Sequence, residues 1–262
     1  VLDSVYIRSA YPEPDGKVWI STYNKGFYLY ENGRVHTLPV QDYEALRTIH
    51  CFIDDGHGNF WLPTNDGLFT VKKEDLMAYT RNRNDNVYYY MYSVYDNLRT
   101  NEFNGGCTPA FLWTADSMLS LPSIAGLVQF DPRRIKTLKP DKAIYIDEIR
   151  LKDSVIALSA LNELVLGPEY GRLPITICTP YFGARKNLKL VYKIKGRDEE
   201  WQPVPDNGNI VLDGVAPGPY EFLVACLNGS ESLHNNVLQF AIHIKPWFYN
   251  TWWFHILIAD AI

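Results

Sequence analysis

Side chains able to do chemistry are scattered along this 262-residue chain rather than gathered. His36, His50, His57, His234, His243 and His255 show no metal-binding spacing. No G-x-S-x-G elbow, H-E-x-x-H pair or phosphate-binding loop occurs. The acidic pairs Asp54-Asp55, Asp147-Glu148 and Glu199-Glu200 are adjacent residues. On a strand such neighbours point to opposite faces, so no pair makes a facing acid and base. Oxygen atoms are dense around Asp54, Asp55 and Asn59, which admits calcium as a minor reading. Cys51, Cys107, Cys178 and Cys226 lie far apart with no C-x-x-C, which argues against zinc. Free core thiols are the plain expectation for them, and a Cys178–Cys226 disulfide the sharper one. No catalytic, cofactor-binding or metal-ligating residue is assigned, and no cofactor is expected. The chemistry points to binding rather than turnover.

The elements that would carry a binding surface are strands. Seven Trp, 18 Tyr and 12 Phe make the chain 14% aromatic, a bias toward pleated, half-buried surfaces. The length favours two domains. The net charge of −5, with no basic run, argues against nucleic acid as a partner of this segment.

A repeat organises the first half. Asp15-Gly16-Lys17-Val18-Trp19-Ile20-Ser21-Thr22 leads to Gly26-Phe27-Tyr28, and His57-Gly58-Asn59-Phe60-Trp61-Leu62-Pro63-Thr64 leads to Gly67-Leu68-Phe69. Trp19 and Trp61 stand 42 positions apart, and Gly26 and Gly67 stand 41 apart. A degraded third copy runs from Asp116-Ser117-Met118-Leu119 to Gly126-Leu127, with Leu119 read in the tryptophan place. Gly26, Gly67 and Gly126 are expected at positive φ in turns between strands. Trp19 and Trp61 are expected to pack between repeats. Hairpin units of 40–50 residues are the pattern of β-propeller blades. Between the second and third copies lies a tyrosine run, Tyr88, Tyr89, Tyr90, Tyr92 and Tyr95. It reads as an alternating strand of stacked aromatics, or as a platform for stacking sugar rings.

After Pro132 the pattern becomes short alternating strands separated by Gly, Pro and Asn turns. Ile144–Leu151, Leu188–Gly196, Tyr220–Cys226 and Val237–Lys245 are examples, and together they predict an antiparallel β-sandwich. Only Lys73 to Arg81, before the tail, admits a helix. The tail Trp247 to Ile262 is aromatic and then apolar, with His255 and Asp260 the polar residues from Trp252 onward. Those 11 residues, 252 to 262, fall short of the roughly 20 that span a membrane. The expectation is a span cut short. No Gly/Ser linker separates the last strand from Pro246 and the tryptophans, so the junction reads as stiff.

The repeat units resemble the regulator-propeller repeats of bacterial two-component sensors. Thr100–Gly106 followed by Gly126–Pro132 is similar to the closing blades of that propeller. Val191–Trp201 and Leu212–Phe222 resemble the Y-Y-Y domain that follows it, and Lys245–Trp253 resembles that domain's exit toward a membrane helix. Ser117 departs from the glycine usual at its place, and no indole follows it. The resemblance implies an all-β chain. Residues 1–135 would be C-terminal propeller blades, 140–246 an immunoglobulin-like sandwich, and 247–262 a juxtamembrane segment with the start of a transmembrane helix. Trp19, Gly26, Trp61, Gly67 and Gly126 would be repeat residues, and Pro246, Trp247, Trp252 and Trp253 the membrane junction. The implied function is ligand sensing in the periplasm by an inner-membrane, homodimeric two-component sensor. An oligosaccharide is the expected ligand, and a histidine kinase or DNA-binding module the expected output. A carbohydrate-processing enzyme on a propeller scaffold is the alternative.

Overall fold

The computed structural model describes residues 4–40, 43–83, 87–106, 108–138, 140, 143–151, 154–156, 163–227 and 237–250, with Phe254 and Ile256. The chain divides into two compact units. One holds residues 1–139 with 183–187 and 228–230, and the other holds most of the remainder from Pro140.

Three antiparallel sheets build the first unit. In the first sheet β1 (Ile7–Pro12), β2 (Val18–Thr22), β3 (Phe27–Glu31) and β4 (Arg34–Thr37) pair in sequence order. The second repeats this with β5 (Ile53–Asp54), β6 (Asn59–Thr64), β7 (Gly67–Lys72) and β8 (Tyr90–Tyr92), and one helix, α1 (Lys73–Arg81), enters before β8. The third comprises β9 (Leu112–Trp113), β10 (Leu119–Ser123) and β11 (Gly126–Phe130), in the order β11-β10-β9. In each sheet one turn is tied in the same way. Thr22, Thr64 and Ser123 donate their hydroxyls to the carbonyls of Gly26, Gly67 and Gly126 at 2.6, 2.8 and 2.7 Å. The three glycines take φ of 78°, 118° and 110°. At Gly67 a Cβ would also press on the Tyr92 carbonyl oxygen at 3.0 Å and push the Met91 side chain aside.

These hydroxyl ties fix the alignment of the repeats. Three residues before Thr22 and Thr64 stand Trp19 and Trp61, and three before Ser123 stands Ser120, not Leu119. The tryptophan place of the third copy therefore belongs to Ser120. Leu119 aligns with Phe60 and, like it, faces the preceding sheet: Leu119 and Leu121 share a core with Trp61, as Phe60 and Leu62 share one with Trp19. Ser117 supplies the turn geometry that Gly16 and Gly58 supply elsewhere, at φ 64° against 89° and 90°.

The sheets stack through two aromatic cores. Strand alternation sends Phe60 and Leu62 of β6 into one core and Trp61 into the other. Trp19 reaches from the first sheet onto the ring of Phe60 at 5.0 Å, edge to face, and lies 6.2 Å from Phe52. Trp61 reaches from the second sheet onto Phe130 of β11 at 4.9 Å and stacks on Tyr92 at 5.4 Å. Both indoles are buried.

The second unit has two sheets around one core. One orders β13 (Ser154–Ile156), β12 (Tyr145–Leu151), β15 (Leu173–Cys178) and β18 (Asn209–Leu212). The other orders β14 (Glu163–Leu166), β20 (Val237–Ile244), β19 (Gly218–Cys226), β16 (Leu190–Lys195) and β17 (Gln202–Pro203). Ile149, Ile175 and Leu212 from one sheet share a buried cluster with Ile194, Phe222 and Ile242 from the other, which makes a sandwich. Its pairing is not wholly antiparallel, because β14 runs parallel to β20. Seventy residues separate these strands in sequence, ample for the crossover that parallel pairing requires. Neither Cys178 nor Cys226 is in a disulfide, which agrees with the plain expectation and not with the sharper alternative of a bond between them. Cys178 is exposed at the end of β15, whereas Cys226 is buried in the core at the end of β19, in the other sheet. Burial pushes the Cys226 thiol up to about 12.

Trp61→Ala should lower the unfolding free energy by about 3–5 kcal/mol, since a buried indole is removed from between two sheets. Urea denaturation followed by circular dichroism measures this. An unchanged midpoint would mean that the indole is dispensable to the packing.

Candidate functional site

The tyrosine run resolves by burial. Tyr90 and Tyr92 lie on β8, and Tyr88, Tyr89, Tyr90 and Tyr92 are all buried, whereas Tyr95 is 85% exposed. Ring faces are already taken: Tyr90 and Tyr92 lie 4.7 Å apart, and Tyr92 stacks on Trp61. A groove of about 190 Å3 opens beside these rings, bordered by Asp55, Asn59 and Thr137. Burial pushes the Tyr92 hydroxyl up to about 12. It also hydrogen-bonds Thr137 at 3.0 Å. The rings serve as core, and they leave no open platform for a sugar.

One residue far along the chain completes this strand. Segment 183–187 belongs to the first unit, and the fully buried Asn187 acts there as a substitute strand beside β8. Its Oδ1 accepts from the Met91 N–H at 2.8 Å, and its Nδ2 donates to the Met91 carbonyl at 2.9 Å. The Tyr88 hydroxyl donates to the Asn187 carbonyl at 2.8 Å. An amide side chain offers the donor and acceptor that a neighbouring strand would, so Asn187 closes the β8 edge.

The acidic turn between β5 and β6 is committed to internal partners. Asp55 accepts from the backbone N–H groups of His57 and Asn59 and from Asn59 Nδ2. Asp54 pairs with Lys73 Nζ at 2.8 Å, and Lys73 also reaches Glu13 at 2.6 Å while lying over the Phe60 ring. Tyr11 donates to Asp54 at 3.2 Å. Burial works against the Asp54 carboxylate, yet the hydrogen bonds from Lys73 and the Gly56 N–H outweigh it and hold its pKa below the ordinary value. The calcium reading loses its donors here, because these oxygens already accept N–H and O–H bonds. No group of three or more potential metal ligands occurs among the described residues.

An open cleft of about 370 Å3 lies between this turn and the β9–β10 turn. Gly56 and His57 line one side, Trp113 and Thr114 the other, and Arg133 stands at the end. Trp113 is 36% exposed, and no aromatic ring packs on it among the described residues, so its face is open. Arg133 is held rigid by two bonds to Asp131, Nε to Oδ1 and Nη2 to Oδ2, both 2.8 Å. An open indole face beside fixed polar groups suits a ring that carries hydroxyls. The sequence reading singled out Trp19 and Trp61, which are core, and passed over Trp113, which lies in a stretch with no repeat signal. Of the proposed junction residues, Pro246 and Trp247 are exposed, and Trp247 stacks on Tyr249 at 5.9 Å. Trp252 and Trp253 lie outside the described residues. Among the described residues no helix is long and apolar enough to cross a membrane.

No protein-family model and no curated protein matches the chain. Solved structures do. The extracellular domain of a hybrid two-component system from B. thetaiotaomicron aligns with 92% of this chain at TM-score 0.61 and 20% identity. Two further extracellular domains from that organism, of a hybrid two-component and of a one-component system, align with 92% of the chain at TM-scores 0.40 and 0.39 and identities of 15% and 16%. The chain spans 32% of the first of these structures, 30% of the second and 37% of the third. The first likeness establishes a shared fold.

Because the Asp54 pKa is depressed by folding, Asp54 stabilises the fold above its unfolded pKa, and that contribution is lost as pH falls through the lower folded value. Lys73→Met should therefore flatten the acid limb of the stability curve below about pH 4, as well as lowering stability at pH 7. Melting temperatures from pH 2 to 7 test this, and an unaltered acid limb would contradict it. Asn187→Ala should cost about 1–3 kcal/mol for each Met91 group left unpaired, read from urea unfolding.

Proposed function

We propose that the chain is part of the extracytoplasmic ligand-sensing region of a membrane-bound two-component sensor. In this reading the three stacked sheets are closing blades of a propeller and the sandwich is a Y-Y-Y domain of immunoglobulin-like form. The observation that carries it is the fold shared with an extracellular domain of a hybrid two-component system across nine-tenths of the chain. The sheet repeat, its hydroxyl ties and the stacking indoles support the propeller reading.

The ligand of this reading is an oligosaccharide, docked with a ring against Trp113 in the cleft that Arg133 closes. The output passes through the last strand and Pro246 to the inner membrane in a homodimer, then to a histidine kinase or a DNA-binding module. A stiff junction transmits a displacement that a flexible one would absorb.

Calorimetric titration of an oligosaccharide panel tests the reading. At least one glycan should bind saturably, and Trp113→Ala should weaken it about tenfold or more, equivalent to roughly 1.4 kcal/mol. Release of a shortened product would place the chain among enzymes instead. Binding unaffected by Trp113→Ala would remove the cleft from the account.

A further inference from the structure

Arg8 on β1 and His50 ahead of β5 hold the same place in successive repeats, each 11 residues before its tryptophan. They meet. The His50 ring is buried, its Nε2 bonds the Phe103 carbonyl at 2.8 Å, and its Nδ1 has no geometrically formed hydrogen bond. Since that carbonyl can only accept, Nε2 carries the proton and Nδ1 is left as an acceptor, and the Asn65 side chain also approaches the ring. Burial first, and then the neighbouring Arg8 charge, lower the His50 pKa and keep the ring neutral. Gly105 seals the far side, where a Cβ would collide with both His50 and the Arg8 guanidinium.

This leaves a cation without a counter-ion. Arg8 Nε is shut away from solvent with no partner, and no carboxylate pairs with Arg8 among the described residues. Lys73, by contrast, is paired with Asp54 and Glu13. A guanidinium stays charged at any accessible pH, and one partly removed from water without an anion is costly. Arg8 as a residue is only half-buried, so the side chain is not wholly withdrawn from solvent.

From this unpaired guanidinium, backed by His50 and Gly105, we infer an oxyanion-binding site on the first unit that takes a carboxylate or sulfate group. The planar donors fit either group through charge-assisted bonds. The group could belong to an acidic saccharide or be a free inorganic anion. The first source rests on the sensing reading, whereas oxyanion binding stands without it.

Sodium sulfate, glucuronate and glucose, with chloride at matched ionic strength, are the probes for the 262-residue chain. Sulfate or glucuronate should raise the melting temperature saturably, beyond chloride, and shift the His50 ring resonances in the unaltered protein. Arg8→Gln should raise the dissociation constant about tenfold or more, and Arg8→Lys should retain part of the binding. Glucuronate binding more tightly than sulfate would assign the site to an acidic saccharide, and the reverse to an inorganic anion. Sulfate, glucuronate and chloride acting alike, or full binding by a folded Arg8→Gln protein, would overturn the site. Sulfate binding with no response to any glycan would uphold it and defeat the carbohydrate reading.

Discussion

The first unit depends on one contact made twice, an indole laid on an aromatic ring of the next sheet. Trp19 meets Phe60, and Trp61 meets Phe130, while Tyr92 of its own sheet stacks on the same indole. Because β6 alternates, its consecutive residues Phe60 and Trp61 serve two different cores. The second sheet is thus buried on both faces. A sheet with no free face has no tolerance for a shift in register, since moving one residue would exchange the two cores. The hydroxyl ties at Thr64 and Gly67 hold that register at the turn.

The other features of the unit follow from this fixed sheet. Its β5–β6 turn presents one wall of the Trp113 cleft, and the Asp54–Lys73–Glu13 cluster anchors that turn to the first sheet. On its other edge β8 has no neighbouring strand in the sheet, and Asn187 supplies the missing pairing through a single side chain. The third sheet lacks an indole at Ser120, where Gln129 donates instead to the serine hydroxyl. Its Leu112 and Leu127 are exposed.

Much of the architecture was legible in local sequence. The Asp/Gly turns, the alternation after them and the glycines before the next strand located β2, β3, β6 and β7, because each signal acts within a few residues. The third copy was misaligned by one place, since Leu119 offered an apolar side chain where Ser120 stands. Only the Ser123–Gly126 tie reveals the register. Asn187 could not have been found this way, because its partner Met91 lies 96 residues off. Trp113 and Arg8 escaped for a related reason. Their significance lies in what does not touch them, an absence that no spacing rule encodes. Aromatic abundance pointed toward binding surfaces, yet most of those rings became core, as the stacked Trp61 and Tyr92 illustrate.

Native-state hydrogen exchange on the intact chain measures most directly whether the second sheet is the foundation of the unit. Amides of Leu62, Phe69 and Val71, in the ladder between β6 and β7, should exchange only through global unfolding, far more slowly than those of the two-residue β9. Equal exchange across the second and third sheets would contradict the account, because the doubly buried sheet would then hold no privileged place in the fold.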